Sequence, residues 1–300
     1  MHLLKNIFFL MCVSAVMFSC EDAPKNTDTL GKGTIDISVD ETYQPVIDEQ
    51  MKVFDSSYPD AHINIHYKPE AECFKDYFEN KARIILVTRP LNKAEKDECE
   101  QKKIYTTSMA IARDAVAVIV NNSAGDSLMD KGVLKGILTG VYKTKYTVVF
   151  DDQSSSTVRY VMDSLLKGDK LGSNVFAAKG NKEVVDYVAK NPNAIGFVGL
   201  GYVSDKNDPN NTGSFTNIVK VVAIKNDSTG EFMLPYLAYL ALKTYPLYRN
   251  LYYINRESTP GLGTGFANFL AEQRGQLVFK YAHMFPLRSE MILRDVQIKQ

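Results

Sequence analysis

Three times in this chain an apolar run of strand-forming residues passes into a short loop rich in hydroxyls and charge, and each loop opens a helix. In the clearest case Thr147-Val148-Val149-Phe150 leads through Asp151-Asp152-Gln153-Ser154-Ser155-Ser156-Thr157 into Val158, Val161, Met162, Leu165 and Leu166, which share one helical stripe. The strand Thr34–Val39 likewise runs through Asp40-Glu41-Thr42 into a helix with Pro45 in its first turn and Val46, Ile47, Met51 and Phe54 on its apolar side. The run from Ala82 to Val87 ends in Thr88-Arg89-Pro90, and a charged helix follows from Asn92 to Lys103. Repeated strand–loop–helix units predict an α/β fold, in which ligands gather off the carboxyl ends of the strands. The first turn of a helix has unpaired N–H groups and a positive dipole end, so three such loops suit one small anion. Taken singly, Ser155 or Ser156 fits a plain helix cap equally well.

A length of 300 residues suits two lobes. Two buried strands, Ala115–Val120 and Ile218–Ile224, bracket a self-contained α/β block and read as crossings between lobes. This gives one lobe at 33–114 with 225–300 and the other at 115–224. Within the block a short helix falls in Leu128–Gly140, another starts at Asn181, and Ala194–Gly199 is a strand. Beyond it come the strand Leu251–Ile254 and one helix from Phe266 to about His283. Gly261-Leu262-Gly263-Thr264-Gly265 has no βαβ unit after it and reads as a loop and helix cap. His62 and His66 share one face of the strand around Ile63 and Ile65, with no third ligand nearby, and are read as solvent-facing.

Residues 1–19 read as an export signal: a basic start at His2 to Lys5, an apolar core from Ile7 to Val13, and Val16-Met17-Phe18-Ser19 leading to Cys20. The run is too short to span a membrane. It resembles a bacterial lipoprotein signal, which implies lipid on Cys20 and anchoring to a bacterial membrane on its periplasmic side, the outer membrane or cell surface included. Residues 20–32 are a flexible tether. Cys73 and Cys99 then remain as an even pair in an oxidising compartment, either as a disulfide or as free thiols. Neither has the spacing of a metal or redox site, so no metal and no cofactor are expected. Lys+Arg and Asp+Glu each number 35, and a chain of zero net charge has no basic field for nucleic acid.

Several stretches carry a family resemblance. Ile111–Asn121, Leu134–Gly140, Asn191–Gly201, Tyr245-Pro246-Leu247-Tyr248-Arg249 and Gly275-Gln276 with Tyr281–Leu287 occur in the order found in phosphate-binding proteins of ABC importers. The chain resembles that family from about Gly33 to Leu287. The resemblance implies a two-lobed periplasmic-binding-protein type II fold, each lobe a mixed sheet flanked by helices, with two crossing strands as a hinge. It implies a monomer that captures phosphate between its lobes for an ABC permease. Ser155-Ser156-Thr157 matches the family's Ser-Gly-Thr loop, Thr88-Arg89-Pro90-Leu91 its Ser-Arg-Pro-Leu loop, and Asp40-Glu41-Thr42 lies at the first phosphate loop.

The implied ligand set is Asp40, Glu41, Thr42, Thr88, Arg89, Ser154, Ser155, Ser156, Thr157 and Arg159. Hydroxyls and backbone N–H groups donate, Arg89 and Arg159 neutralise charge, and Asp40 or Glu41 accepts the proton of hydrogen phosphate, which sulfate lacks. Three departures bear on selectivity. Ser156 replaces a glycine, the second loop lacks an Asp found in some members, and Asp151 and Asp152 stand where an arginine is expected before the third loop. Another oxyanion (sulfate, molybdate or tungstate) and a fold-retaining sensor or surface interaction lipoprotein are the alternatives. A serine hydrolase or phosphatase would need a base beside Ser155 or Ser156, and no Gly-x-Ser-x-Gly elbow is present, so a non-enzyme is expected.

Overall fold

A computed structural model describes residues 28–143, 146–205 and 214–289. The export signal, Cys20 and most of the tether lie outside the described residues. Among the described residues no helix is long and apolar enough to cross a membrane.

In chain order the elements are β1 (Gly33–Asp40), α1 (Gln44–Ser57), β2 (Ala61–Lys68), α2 (Glu70–Phe78), β3 (Ile84–Val87), α3 (Lys93–Gln101) and β4 (Thr107–Val120). The middle of the chain gives β5 (Leu128–Met129), α4 (Lys131–Leu138), β6 (Thr147–Phe150), α5 (Ser156–Val161), β7 (Val175–Ala177), α6 (Asn181–Lys190) and β8 (Ala194–Gly199). Then follow β9 (Lys220–Val221), β10 (Ala223–Lys225), β11 (Phe232–Met233), α7 (Leu237–Ala241), β12 (Tyr248–Asn255), α8 (Leu262–Ala271), α9 (Gln273–Tyr281) and β13 (Phe285–Pro286).

The main sheet runs β2-β1-β3-β12-β4-β8-β6-β7. β1 is parallel to β2 and β3 on either side, as helical crossovers require. β12 enters antiparallel between β3 and β4. β4 serves two lobes, because residues 107–115 pair with β12 while Val116–Val120 pair with β8. Each lobe has its own core. Ile35, Ile37 and Val39 of β1 pack with Ile47 and Phe54 of α1 and with α8 and α9, where Phe54 meets Phe266 edge-on at 5.1 Å. Val116–Val120 pack with Val148, Phe150, Val184 and Phe197, and Phe150 stacks on Phe197 at 4.9 Å.

The fold differs from the sequence reading in several places. The apolar run Ile218–Ile224 is not a single crossing strand. It breaks into β9, which pairs with β4, and β10, which pairs with β5 and β11, while β12 makes the second passage beside β4. Its apolarity from Val219 onward reflects burial of Val219, Val221, Val222 and Ile224 in the second core. Met233, Leu240, Tyr245 and Leu247 pack there too, so residues 233–247 belong to the second core and not to the first lobe that the sequence suggests. The helix expected from Phe266 to His283 is two helices, interrupted where Glu272 is extended (ψ 172°). A Cβ on Gly275 would lie 2.3 Å from the Phe269 carbonyl oxygen, which is why a glycine follows the break. The start of α8 is capped from within, because the Glu257 carboxylate accepts from the N–H groups of Gly261, Gly263 and Thr264 at 3.1, 2.9 and 2.7 Å.

Of the two readings of Cys73 and Cys99, the disulfide gives way to free thiols. Both are free and buried in one apolar cluster with Phe74, Tyr77 and Leu91. Burial pushes the Cys73 thiol well above its usual pKa, which makes it a packing residue. His62 is exposed at the surface, and His66 bonds Asp36 Oδ1 at 2.9 Å.

Candidate functional site

The three loops converge. At the end of β1 the Asp40 side chain caps a short 3-10 turn, with Oδ1 accepting from the Thr42 N–H at 3.0 Å. At the end of β6, Ser155 caps α5. Its Oγ accepts from the Val158 N–H at 3.2 Å and donates to Asp151 Oδ1 at 2.5 Å. These caps turn the next residues inward. Ser156 Oγ lies 3.4 Å from Thr42 Oγ1, so the first and third loops touch through their hydroxyls.

A residue outside the expected set completes this contact. Arg249 on β12 donates from Nη1 to Ser156 Oγ at 3.0 Å and pairs with Asp114 Oδ2 through Nη2 and Nε at 3.1 and 3.3 Å. Both side chains are buried, and the guanidinium lies 5.4 Å from the Tyr43 ring centroid. Asp114 and Arg249 face each other in the register of β4 and β12. The available signal was a charge of each sign within otherwise apolar strands. Arg249 thus brings a cation to the third loop, where Asp151 stands in place of the expected arginine.

The second loop sits beside this cluster. Thr88 donates from its N–H and Oγ1 to Glu70 Oε1 at 2.7 and 2.5 Å, and Arg159 donates from Nε to Glu70 Oε2 at 2.7 Å and from Nη2 to Thr88 Oγ1 at 2.5 Å. Glu70 thus places a buried carboxylate beside the second loop, held by Thr88 and Arg159. It was missed because α2 is short and mostly charged, with an apolar side of Cys73, Phe74 and Tyr77.

Three expected residues are engaged elsewhere. Arg89 forms a fork with Glu95 at 2.7 and 2.8 Å and stacks 3.8 Å over Phe74, because Glu95 is already fixed by its capping box with Asn92. Ser154 is exposed, and its N–H and Oγ bond Asp152 Oδ1 in a local turn. Glu41 reaches the opposite lobe, where Oε1 accepts from the Asn181 N–H at 3.0 Å at the start of α6, and Tyr202 Oη donates to the Glu41 carbonyl oxygen at 3.0 Å. Asp151 holds Asn181 Nδ2 at 3.0 Å, which ties α6 to the third loop.

Burial is the main electrostatic influence here. It raises the Asp40 carboxyl to about 7, with the Glu70 charge adding and the Arg249 charge opposing. Burial raises Asp151 to about 6, against its bond from Ser155. Asp114 is also raised by burial, against Arg249. Three buried oxygens of the cluster have no hydrogen-bond partner: Asp40 Oδ2, Tyr43 Oη and Thr157 Oγ1. Unpaired buried polar atoms are costly, and a compact ligand carrying several acceptors and one proton would satisfy them. Among the described residues no group of three or more His, Cys, Asp or Glu could hold a metal. A groove of about 350 Å³ borders the cluster, lined in part by Glu70, Arg89, Ser155 and Arg159.

The close approach of the lobes depends on Gly199. A Cβ there would lie 2.2 Å from Thr42 Cγ2 and 3.1 Å from the Thr42 carbonyl oxygen. Gly199→Ala is expected to push the first loop off the third and weaken oxyanion binding about 10²-fold in calorimetry, as small misplacements of binding groups do. Unchanged affinity would mean that the Thr42–Ser156 contact is not needed for binding.

A family model described as the PBP superfamily domain matches residues 24–274. The chain is 24% identical over 267 residues to the phosphate-binding protein PstS of Staphylococcus aureus, covering 84% of this chain and 77% of that protein. It is 22% identical over 254 residues to protein SphX of Synechococcus elongatus, covering 79% and 72%. Its fold is similar to a Clostridium perfringens protein whose crystal structure holds bound phosphate, with a TM-score of 0.72, 20% identity and coverage of 85% and 100%. It is also similar to an ABC-type phosphate transport receptor from Vibrio cholerae, with a TM-score of 0.64, 16% identity and coverage of 84% and 99%.

Proposed function

We propose, from the premise that this chain belongs to the PBP superfamily, that it is an extracytoplasmic solute-binding protein that captures phosphate between its lobes for an ABC permease. The observation that carries this reading is the meeting of Thr42, Ser156 and Arg249, from separate loops and strands, beside the unpartnered Asp40 Oδ2 and Thr157 Oγ1. These groups offer donors to phosphate oxygens and one acceptor for a phosphate proton. The relative named for phosphate binding agrees with that chemistry. Micromolar affinity needs about 8 kcal/mol, and hydrogen bonds to charged groups contribute about 1.5–3 kcal/mol each, so four or five converging donors suffice.

Asp40 is the proton acceptor in this reading. The Glu41 carboxylate is held by the Asn181 N–H, which favours Asp40 for this role. Ser155 bonds Asp151 and Ser156 bonds Arg249, so in this reading they act as cap and donor and the protein binds its ligand without turning it over. We place the lipid anchor on Cys20 and read the mature chain as a monomer.

Phosphate at a hundredfold excess over its Kd is expected to stabilise the protein by about 2.7 kcal/mol, readable as a rise in melting temperature. Sulfate, molybdate and tungstate should give smaller shifts. Absence of a shift with all four anions would refute the reading, and a larger shift with one of the other three would reassign the ligand.

A further inference from the structure

We propose that two carboxylates of the first lobe, Glu70 and Glu41, occupy the place of a bound anion and, through Arg159 and the Asn181 N–H of the second lobe, latch the cleft shut before ligand arrives. The proposal rests on the phosphate reading for the identity of the competing ligand, and on geometry for the latch. Glu70 accepts from three donor atoms, the Thr88 N–H and Oγ1 of its own lobe on one oxygen and the Arg159 Nε–H of the second lobe on the other, with Arg159 Nη2 closing the ring onto Thr88. Three of these bonds hold the carboxylate itself, and they are the kinds of donor an oxyanion requires.

Glu41 repeats the arrangement on a donor 140 positions away from it in sequence. Its carboxylate sits at the N-terminus of the ten-residue helix α6 on the Asn181 N–H, and a Cβ on Gly180 would lie 2.6 Å from Glu41 Oε1. Gly180 has φ +116°, so the backbone there is shaped around the incoming carboxylate. The Glu70 side chain is 3% exposed and its partner Arg159 is 33% exposed, so the ion pair lies at the border of the cleft with one member sealed in.

An incoming anion must displace Glu70 from these donors or bind beside its charge. The latch therefore costs affinity and keeps the ligand-free protein compact. Glu70 is in this sense a residue that sets affinity.

Small-angle scattering of the ligand-free wild-type protein should give the radius of gyration of a closed molecule, with little further change on adding phosphate. The variants Glu70→Gln and Glu41→Gln/Glu70→Gln should be expanded without ligand and should compact with phosphate. Calorimetry with inorganic phosphate should show about tenfold tighter binding to Glu70→Gln, as removal of a like charge predicts. Should the buried substitution impair folding, Arg159→Gln releases the same ion pair from the other lobe and is read by the same expansion.

A wild-type protein that is open without ligand, or a double variant as compact as the wild type, would overturn the latch. Weaker phosphate binding by Glu70→Gln would also overturn it, by showing that Glu70 is part of the ligand's own pocket. The absence of any phosphate heat in the wild type and the variants would instead refute the phosphate reading, while scattering would still decide the latch.

Discussion

Replacing Arg249 with methionine is expected to abolish phosphate binding in calorimetry and to lower the free energy of unfolding by about 3–5 kcal/mol in a denaturant titration, the usual effect of removing one member of a buried ion pair. Arg249 does two jobs at once: it donates to Ser156 at the third loop and it neutralises Asp114 at 3.1 Å. Methionine has similar length and fills the space, so what is lost is mainly the charge. Asp114 would then be a lone carboxylate inside the sheet. Burial already raises its pKa while Arg249 opposes this. Without Arg249 it should take up a proton on folding, so the variant should be less destabilised at pH 5 than at pH 8. The double variant Arg249→Met/Asp114→Asn should recover most of the stability and none of the binding. Restored binding in the double variant would show that the cation at this position is dispensable for the anion.

Asp40→Asn should reduce the ratio of phosphate to sulfate affinity by on the order of 10²-fold, in line with sites built around a hydrogen bond that a competitor cannot make. The ionised carboxylate accepts the proton of hydrogen phosphate and repels sulfate, and asparagine can donate to either anion. Stability gives an independent readout. Asp40 keeps its proton up to about pH 7 in the folded protein, against a usual value of 3.8. Between those values the folded chain binds more protons than the unfolded one. The Asp40 contribution therefore weakens stability as pH rises from about 4 to about 7 and is level above that. Asp40→Asn should remove this slope and raise the ligand-free melting temperature at pH 8 more than at pH 5. If selectivity survived the change, the proton acceptor would be assigned to Glu70, the other carboxylate close enough to shift Asp40.

What could be read from the sequence was what is encoded locally. The Ser155 cap, the Asp40 turn and the three strand–loop–helix units follow from spacing and from short-range hydrogen bonds, and the structure has them. Their convergence follows from the rule that loops gather at the carboxyl ends of parallel strands. Side-chain direction did not follow. Arg89, Ser154 and Glu41 lie in the expected loops, yet each is engaged by another group: Glu95 three positions into a capping box, Asp152 two residues back, and the start of α6.

The missed residues have equally physical reasons. Arg249 and Asp114 meet through the pairing register of two distant strands, information that neither strand carries alone. Glu70 lies at the start of a helix too short for its apolar side to stand out among its charges. The second passage was misplaced for a related reason: Val219–Ile224 is as apolar as a crossing strand because Val219, Val221, Val222 and Ile224 are covered by the second core.

β12, near the far end of the chain, is wedged between β3 and β4, so the first lobe's sheet stays split until residues 248–255 have been delivered. The intervening block can gather its own apolar residues earlier, since β6, β8 and the end of β4 come from one contiguous stretch. Assembly is therefore expected to proceed from the middle of the polypeptide outward, with the N-terminal strands waiting unsealed for a late arrival. Pairings of such large sequence separation form slowly, so the first lobe stays open-edged for most of the chain's synthesis.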